Sequence, residues 1–151
     1  MRKYLLFLSF MIISISSWSA VIEIVDSTEI SGTIDTLIIK DGGIAYLTNN
    51  VTIDSLIYIE TGGKLYCNKF TVSGEADFTM EDYATLEFKL DTLSKNLNIS
   101  GIFSFADRIN VIFDGEELQY LDPLFPNKFN SVIVDNPVGV YRTGGITLDK
   151  E

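Results

Sequence analysis

The feature that most constrains this chain is an internal repeat. Asp35-Thr36-Leu37-Ile38-Ile39-Lys40-Asp41-Gly42-Gly43 is echoed by Asp54-Ser55-Leu56-Ile57-Tyr58-Ile59-Glu60-Thr61-Gly62-Gly63, and the two Gly-Gly pairs lie 20 residues apart. A degenerate third copy, Met80-Glu81-Asp82-Tyr83-Ala84-Thr85-Leu86, puts Ala84 in the place of Gly63, 21 residues further on. A second mark, an apolar residue followed by Ser-Gly, recurs at Ile30-Ser31-Gly32, Val72-Ser73-Gly74 and Ile99-Ser100-Gly101. Gly74 and Gly101 stand further apart than the Gly-Gly pairs do, and the surplus fits an excursion around Asp91 to Lys95.

Between the marks, valine, isoleucine, threonine, tyrosine and phenylalanine dominate, residues that suit strands. Apolar side chains alternate at Ile57 and Ile59, at Leu86, Phe88 and Leu90, and at Phe103 and Phe105. That is the period of a sheet, and no stretch from Val21 onward has a helical period. A unit of about 20 residues made of short strands and tight turns is one coil of a solenoid. Each strand then pairs with its equivalent one coil later, and no coil buries its apolar face alone. The fold expected is therefore all-β, a right-handed single-stranded β-solenoid (β-helix) of five or six coils. The alternative is a β-sandwich, which also has short strands at regular intervals.

The first twenty residues read as an address. Met1-Arg2-Lys3-Tyr4 is a short positive start, Leu5 to Ile15 is an apolar run, and Ser16-Ser17-Trp18-Ser19-Ala20 supplies small residues. This is the three-part pattern of a secretory signal peptide, with cleavage expected near Ser19 or Ala20. The apolar run is shorter than the ~20 residues of a spanning helix. The expected domains are thus a signal peptide, 1–20, and a β-solenoid, 21–151, with no transmembrane span in the mature chain. The sequence closes on Thr147-Leu148, which reads as the start of another strand, and then Asp149-Lys150-Glu151. Those charges blunt the open end, another chain covers it, or the frame is a piece of a longer solenoid.

Charge narrows the partners. The chain has 11 basic and 21 acidic residues and no histidine. Taking away Arg2 and Lys3 leaves nine basic residues against 21 acids, a net charge of −12. Nucleic acid is an unsuitable partner, because phosphate contacts need a basic face. A histidine-based triad is excluded. The single cysteine, Cys67, excludes an internal disulfide, and its apolar neighbours place it in the core.

The C-terminal third carries a further pattern. Asn110-Val111-Ile112-Phe113-Asp114-Gly115 is followed by Gln119, a loop, Phe129-Asn130-Ser131-Val132-Ile133-Val134-Asp135-Asn136, and Gly139-Val140. This resembles the repeats of large secreted β-helix proteins of Bacteroidetes-type bacteria, where an F-D-G…Q segment precedes an F-x-x-L-x-V-x-N-x-x-G-V segment. The resemblance covers about residues 110–148, and more loosely 32–105. It implies an extracellular or cell-surface protein, often without an assigned activity. Many members end in a secretion-sorting domain, and none is expected within residues 21–151.

Three groups of residues are candidates for chemistry. If coils stack, the turn acids Asp41, Glu60 and Glu81 share one edge about 4.8 Å apart, an arrangement that a hard cation such as Ca²⁺ can bridge. The rival is a solvated acidic edge. Tyr120, Phe125 and Phe129 flank a loop with two prolines, Pro123 and Pro126, and exposed aromatic rings there suit sugar stacking or partner docking. The rival is a loop folded back on the core with Phe125 as its anchor. Glycoside chemistry needs paired carboxylates. Glu75 with Asp77, and Glu116 with Glu117, are the pairs on offer, and nothing singles them out. Two glycosylation sequons, Asn50-Val51-Thr52 and Asn98-Ile99-Ser100, arise easily by chance in a chain this rich in Asn, Ser and Thr. The functional expectation is an exported structural or adhesion-type solenoid without an evident catalytic site, offering its surface to a glycan or another surface protein. The alternatives are a fragment of a carbohydrate-active β-helix protein, a lyase or hydrolase, and a calcium-stabilised module.

Overall fold

A computed structural model describes residues 20–121, 125, 128–141 and 147–148. The expected signal peptide, most of the two-proline loop and the charged C-terminal residues lie outside these. The chain enters with β1 (Val21–Ile24) and runs into two long bent strands, β2 (Ser27–Ile39) and β3 (Ile44–Ile59). Short strands follow: β4 (Lys64–Tyr66), β5 (Val72–Gly74), β6 (Asp77–Met80) and β7 (Thr85–Phe88). A single helical turn, α1 (Leu93–Asn96), precedes β8 (Leu97–Ile99), β9 (Phe103–Phe105), β10 (Asn110–Phe113) and β11 (Gln119–Tyr120). The last elements are β12 (Lys128–Phe129), β13 (Ser131–Val134), β14 (Val140–Tyr141) and β15 (Thr147–Leu148).

Every strand pairing among the described residues is parallel, and partners come from successive coils. The molecule is a β-solenoid of about five turns, not a sandwich, whose strands would pair antiparallel. Three ladders run along it. Face 1 joins β1 to Thr36–Ile39, Leu56–Ile59, β6 and β9. Face 2 joins Ser27–Ile30, Ile44–Leu47, β4, β7, β10 and β13. Face 3 joins Gly32–Ile34, Val51–Ile53, β5 and β8. One bent strand serves three faces in β2 and again in β3, which is why those two are so long.

Period-two alternation turns one side of each strand inward. On face 1 the column Leu37, Ile57, Phe78 is wholly buried, and on face 2 Ala45, Leu65, Leu86 and Val111 are as well. Cys67 is buried as expected, and burial above all raises its thiol pKa, with Glu87 adding to the effect. The filling changes along the axis. Aliphatic side chains fill the early coils, while Phe88, Phe113, Phe105, Phe125 and Phe129 pack ring against ring in the later ones.

The Gly-Gly turns have two separate physical demands. Gly42 and Gly62 take φ values of 77° and 80°, the left-handed region where a side chain is strained. Gly43 is tied by space, since an added Cβ would stand 2.2 Å from the carbonyl oxygen of Ile24. The third turn meets the first demand with Tyr83, at φ 62°. Its ring lies under the Arg108 guanidinium, 5.2 Å from its centre, and its N–H donates to Arg108's carbonyl at 2.8 Å. The Ser-Gly marks, by contrast, do not fall in register. Gly32 pairs Val51, which pairs Val72, so Val72 and not Gly74 is the equivalent of Gly32.

Candidate functional site

The three acids expected on one edge separate. The column that continues the face 1 ladder reads Lys40, Glu60, Glu81, because the N–H groups of these residues donate to Ile24, Ile39 and Ile59 in turn. Asp41 belongs one position further on. A lysine therefore stands where a third carboxylate was expected, and Lys40 Nζ meets Glu60 Oε1 at 2.8 Å. Glu81 accepts from the Tyr58 hydroxyl, from the Thr61 N–H at 3.0 Å and from the Thr61 hydroxyl at 3.1 Å. The Tyr58 bond, first among these, lowers the Glu81 pKa. The Lys40 amine is raised, chiefly by its bond to Glu60. Both glutamates thus tie neighbouring coils together. Among the described residues no group of three acids, cysteines or histidines is placed to hold a metal ion.

The nominated aromatic residues also divide. Phe125 is 3% exposed and Phe129 is fully buried. Phe125 stacks on Phe88 with centroids 6.0 Å apart and meets Phe105 at 5.4 Å. Both rings are packed into the core, and neither presents a face to solvent. Tyr120 is different. It faces outward on β11, 42% exposed, beside Tyr141 on β14, 53% exposed. Their rings meet edge to face, with centroids 5.9 Å apart and planes at 75°. Leu118 and Val138, both exposed, stand just ahead of the two strands. Tyr141 carries no signal in the sequence that would pair it with Tyr120, because the pairing depends on register.

A second tyrosine pair provides the contrast. Tyr46 and Tyr66 lie on the outer side of face 2, half-buried, stacked at 5.0 Å with planes only 17° apart. Stacked along the solenoid axis, each ring covers a face of the other. In the edge-to-face pair the rings do not cover one another face to face, and both side chains are exposed; exposed aromatic rings are surfaces on which a sugar or an apolar side chain packs. Next in the Tyr46–Tyr66 column is Glu87, 2% exposed. Burial raises its carboxyl pKa, against the opposing pull of the Asn68 N–H at 3.0 Å and of Lys89. Lys89 reaches Glu87 at 4.0 Å and bridges to the next coil at Asp114, 2.6 Å away, while the Asn68 N–H ties Glu87 to the coil before.

The residues of the C-terminal pattern are corner staples. Gln119 is buried; its amide donates to the carbonyls of Phe88 and Leu90, and its oxygen accepts from the Gly115 N–H at 2.9 Å. Asn136 Nδ2 reaches that same oxygen at 2.8 Å, while its Oδ1 accepts from the Val138 and Gly139 N–H groups. Asn96 does the same one coil earlier, donating to Asn68 and Phe70 and accepting from Leu90. These amides add hydrogen bonds to backbone groups at the bends, some of which, such as the Phe88 and Asn68 carbonyls, also accept a backbone N–H from the next coil. Of the carboxylate pairs, Asp77 has a structural role: its Oδ1 accepts from the Ile102 N–H at 2.8 Å. Arg108 Nη2 lies 3.7 Å from Asp82.

No family model, curated protein or solved structure matches this chain. No helix of the described residues is long and apolar enough to cross a membrane. Among the described residues, Tyr120 and Tyr141 are the exposed aromatic side chains.

Proposed function

We propose that this chain is an exported, non-catalytic β-solenoid that works at the cell surface or in the medium as a structural and adhesive module. Its kin in this reading are the secreted β-helix repeat proteins of Bacteroidetes-type bacteria. Its partner is a surface glycan or another surface protein. One observation carries the adhesive part: Tyr120 and Tyr141 form an exposed, edge-to-face pair on adjacent coils. Tyrosine is enriched at binding surfaces because it brings apolar area and a polar tip at little entropic cost. Export is supported by Met1–Ala20, with its positive start, apolar run and small residues. A rigid parallel ladder suits a display role, since each coil fixes the position of the next.

The test uses the mature protein coated on beads and offered a panel of polysaccharides and fractionated cell envelopes. Retention that drops at least tenfold in Tyr120→Ala and in Tyr141→Ala, with unchanged melting, supports the reading. Retention indifferent to both changes sinks it. Polysaccharide that is shortened rather than retained would move the protein to the carbohydrate-active class.

A further inference from the structure

We infer that the Tyr120–Tyr141 patch takes a glycan whose sugars carry free, protonated amino groups. This rests on the adhesive reading above and adds the chemistry of the ligand. The first argument is the state of the protein's own cations. Lys40 is held by Glu60 at 2.8 Å, Lys89 by Asp114 at 2.6 Å, Lys95 by Asp91 at 2.7 Å and Arg108 by Asp82 at 3.7 Å. Lys69 sits over the Phe70 ring at 5.9 Å. These five of the nine cations from Val21 onward are committed to such contacts, and 21 acids against 11 basic residues repel a uronate or sulfate chain at a distance.

The second argument is local. Glu116 and Glu117 are exposed in the turn that leads into β11, and Asp135 is exposed in the turn that leads into β14. Asn136 Nδ2 donates to the Glu117 carbonyl at 2.7 Å, which draws the two turns into one corner. The Tyr120 N–H donates to the Asp91 carbonyl at 2.6 Å, so the coil before joins the same patch, and its nearby cation, Lys95, is neutralised by Asp91. An aromatic face with an acidic border suits a ring that is apolar on one side and bears an ammonium. The C–H face packs on tyrosine, and the ammonium meets the negative ring face and the carboxylates. A neutral sugar gains only the packing.

Three probes of defined charge separate these cases: glucosamine oligosaccharides, their N-acetylated counterparts with the same backbone, and polygalacturonate. Titration of the mature protein should show glucosamine oligomers binding about fivefold tighter than the acetylated ones, with the gap closing at high salt, and no binding to polygalacturonate. The double variant Glu116→Gln with Glu117→Gln, at exposed positions, should keep its melting temperature and the acetylated affinity while losing most of the preference. Equal affinity for the two oligosaccharides overturns the inference, as does a preference that survives in the double variant, a preference for polygalacturonate, or tighter capture of polylysine than of the amino sugar. In those cases sensitivity to Tyr120→Ala would still uphold the adhesive reading. Binding of none of the probes, or binding indifferent to Tyr120→Ala, overturns both.

Discussion

The coils from Val21 to about Tyr66 and those from Thr85 to Tyr141 solve the same problem by different means. The early coils are short, with Ser27 paired to Ile44 and Ile44 to Lys64, turn at glycines and fill with aliphatic side chains. The later coils include one longer circuit, between Thr85 and its ladder partner Asn110, before the next, from Asn110 to Ser131, shortens again. They turn at buried amides and fill with phenylalanine rings. Backbone freedom makes a corner that is short and uniform. Side-chain staples make a corner that accommodates added residues, because one amide ties several backbone groups on either side of the bend. The exposed tyrosine patch lies in the second kind of coil, where register and corner shape vary from turn to turn.

The largest effect that would sharpen this contrast is Phe88→Ala. Removing the ring that meets Phe113 at 4.8 Å and Phe125 at 6.0 Å should cost about 3–5 kcal/mol in urea unfolding. Because coupling in a solenoid is between neighbours, hydrogen exchange should speed up in β10 and β13 more than in β3. Uniform acceleration along the whole axis would erase the distinction between the two regions. Next come the glycines. Gly43→Ala drives a Cβ to 2.2 Å from a backbone oxygen and should cost about 2 kcal/mol or more. Gly42→Ala meets nothing within 4 Å and suffers only from φ 77°, about 1 kcal/mol. Equal losses would mean that space does not set the turn.

The smallest effect is a slope. Burial raises the Glu87 carboxyl above its ordinary 4.5, so just above that pH the folded chain keeps a proton that the unfolded chain has released. Its contribution to stability is complete below 4.5 and is lost as pH rises through the folded value. Glu81 runs the other way: its pKa is lowered, and its contribution is present above 4.5 and lost as pH falls through the folded value. Urea midpoints from pH 4.5 to 7 should therefore differ in slope between the parent and Glu87→Gln, the variant lacking the gain on acidification. Parallel curves would show that Glu87 is as well solvated as a surface carboxylate.

Much of the solenoid is legible in the sequence because its turns are made by residues with one strong local reason to be there. Gly42-Gly43 and Gly62-Gly63 set the period, and the surplus between Gly74 and Gly101 marks the place where α1 sits. The core is readable from alternation at Ile57 and Ile59 and at Leu86 and Phe88, all fully buried. What escapes depends on register. A single position decides whether Asp41 or Lys40 joins Glu60, and the repeat aligned by eye does not fix that position. The Ser-Gly marks mislead for the same reason, since glycine suits several places around a corner. Tyr141 escapes because its partner Tyr120 lies a full coil away and its exposure is a property of the coil. Gln119 and Asn136 stand out as pattern without a role, because a staple is visible only once the carbonyls it serves are in place.

The excursion at α1 has an engineering meaning. Residues added between Phe88 and Leu97 leave both flanking rungs seated, with Phe88 still paired to Phe113 and Leu97 to Val72. Length is absorbed outside the ladder, at a corner already stapled by Asn96. Here foreign sequence can be spliced in as cargo, and the rod will carry it at a fixed height along its axis.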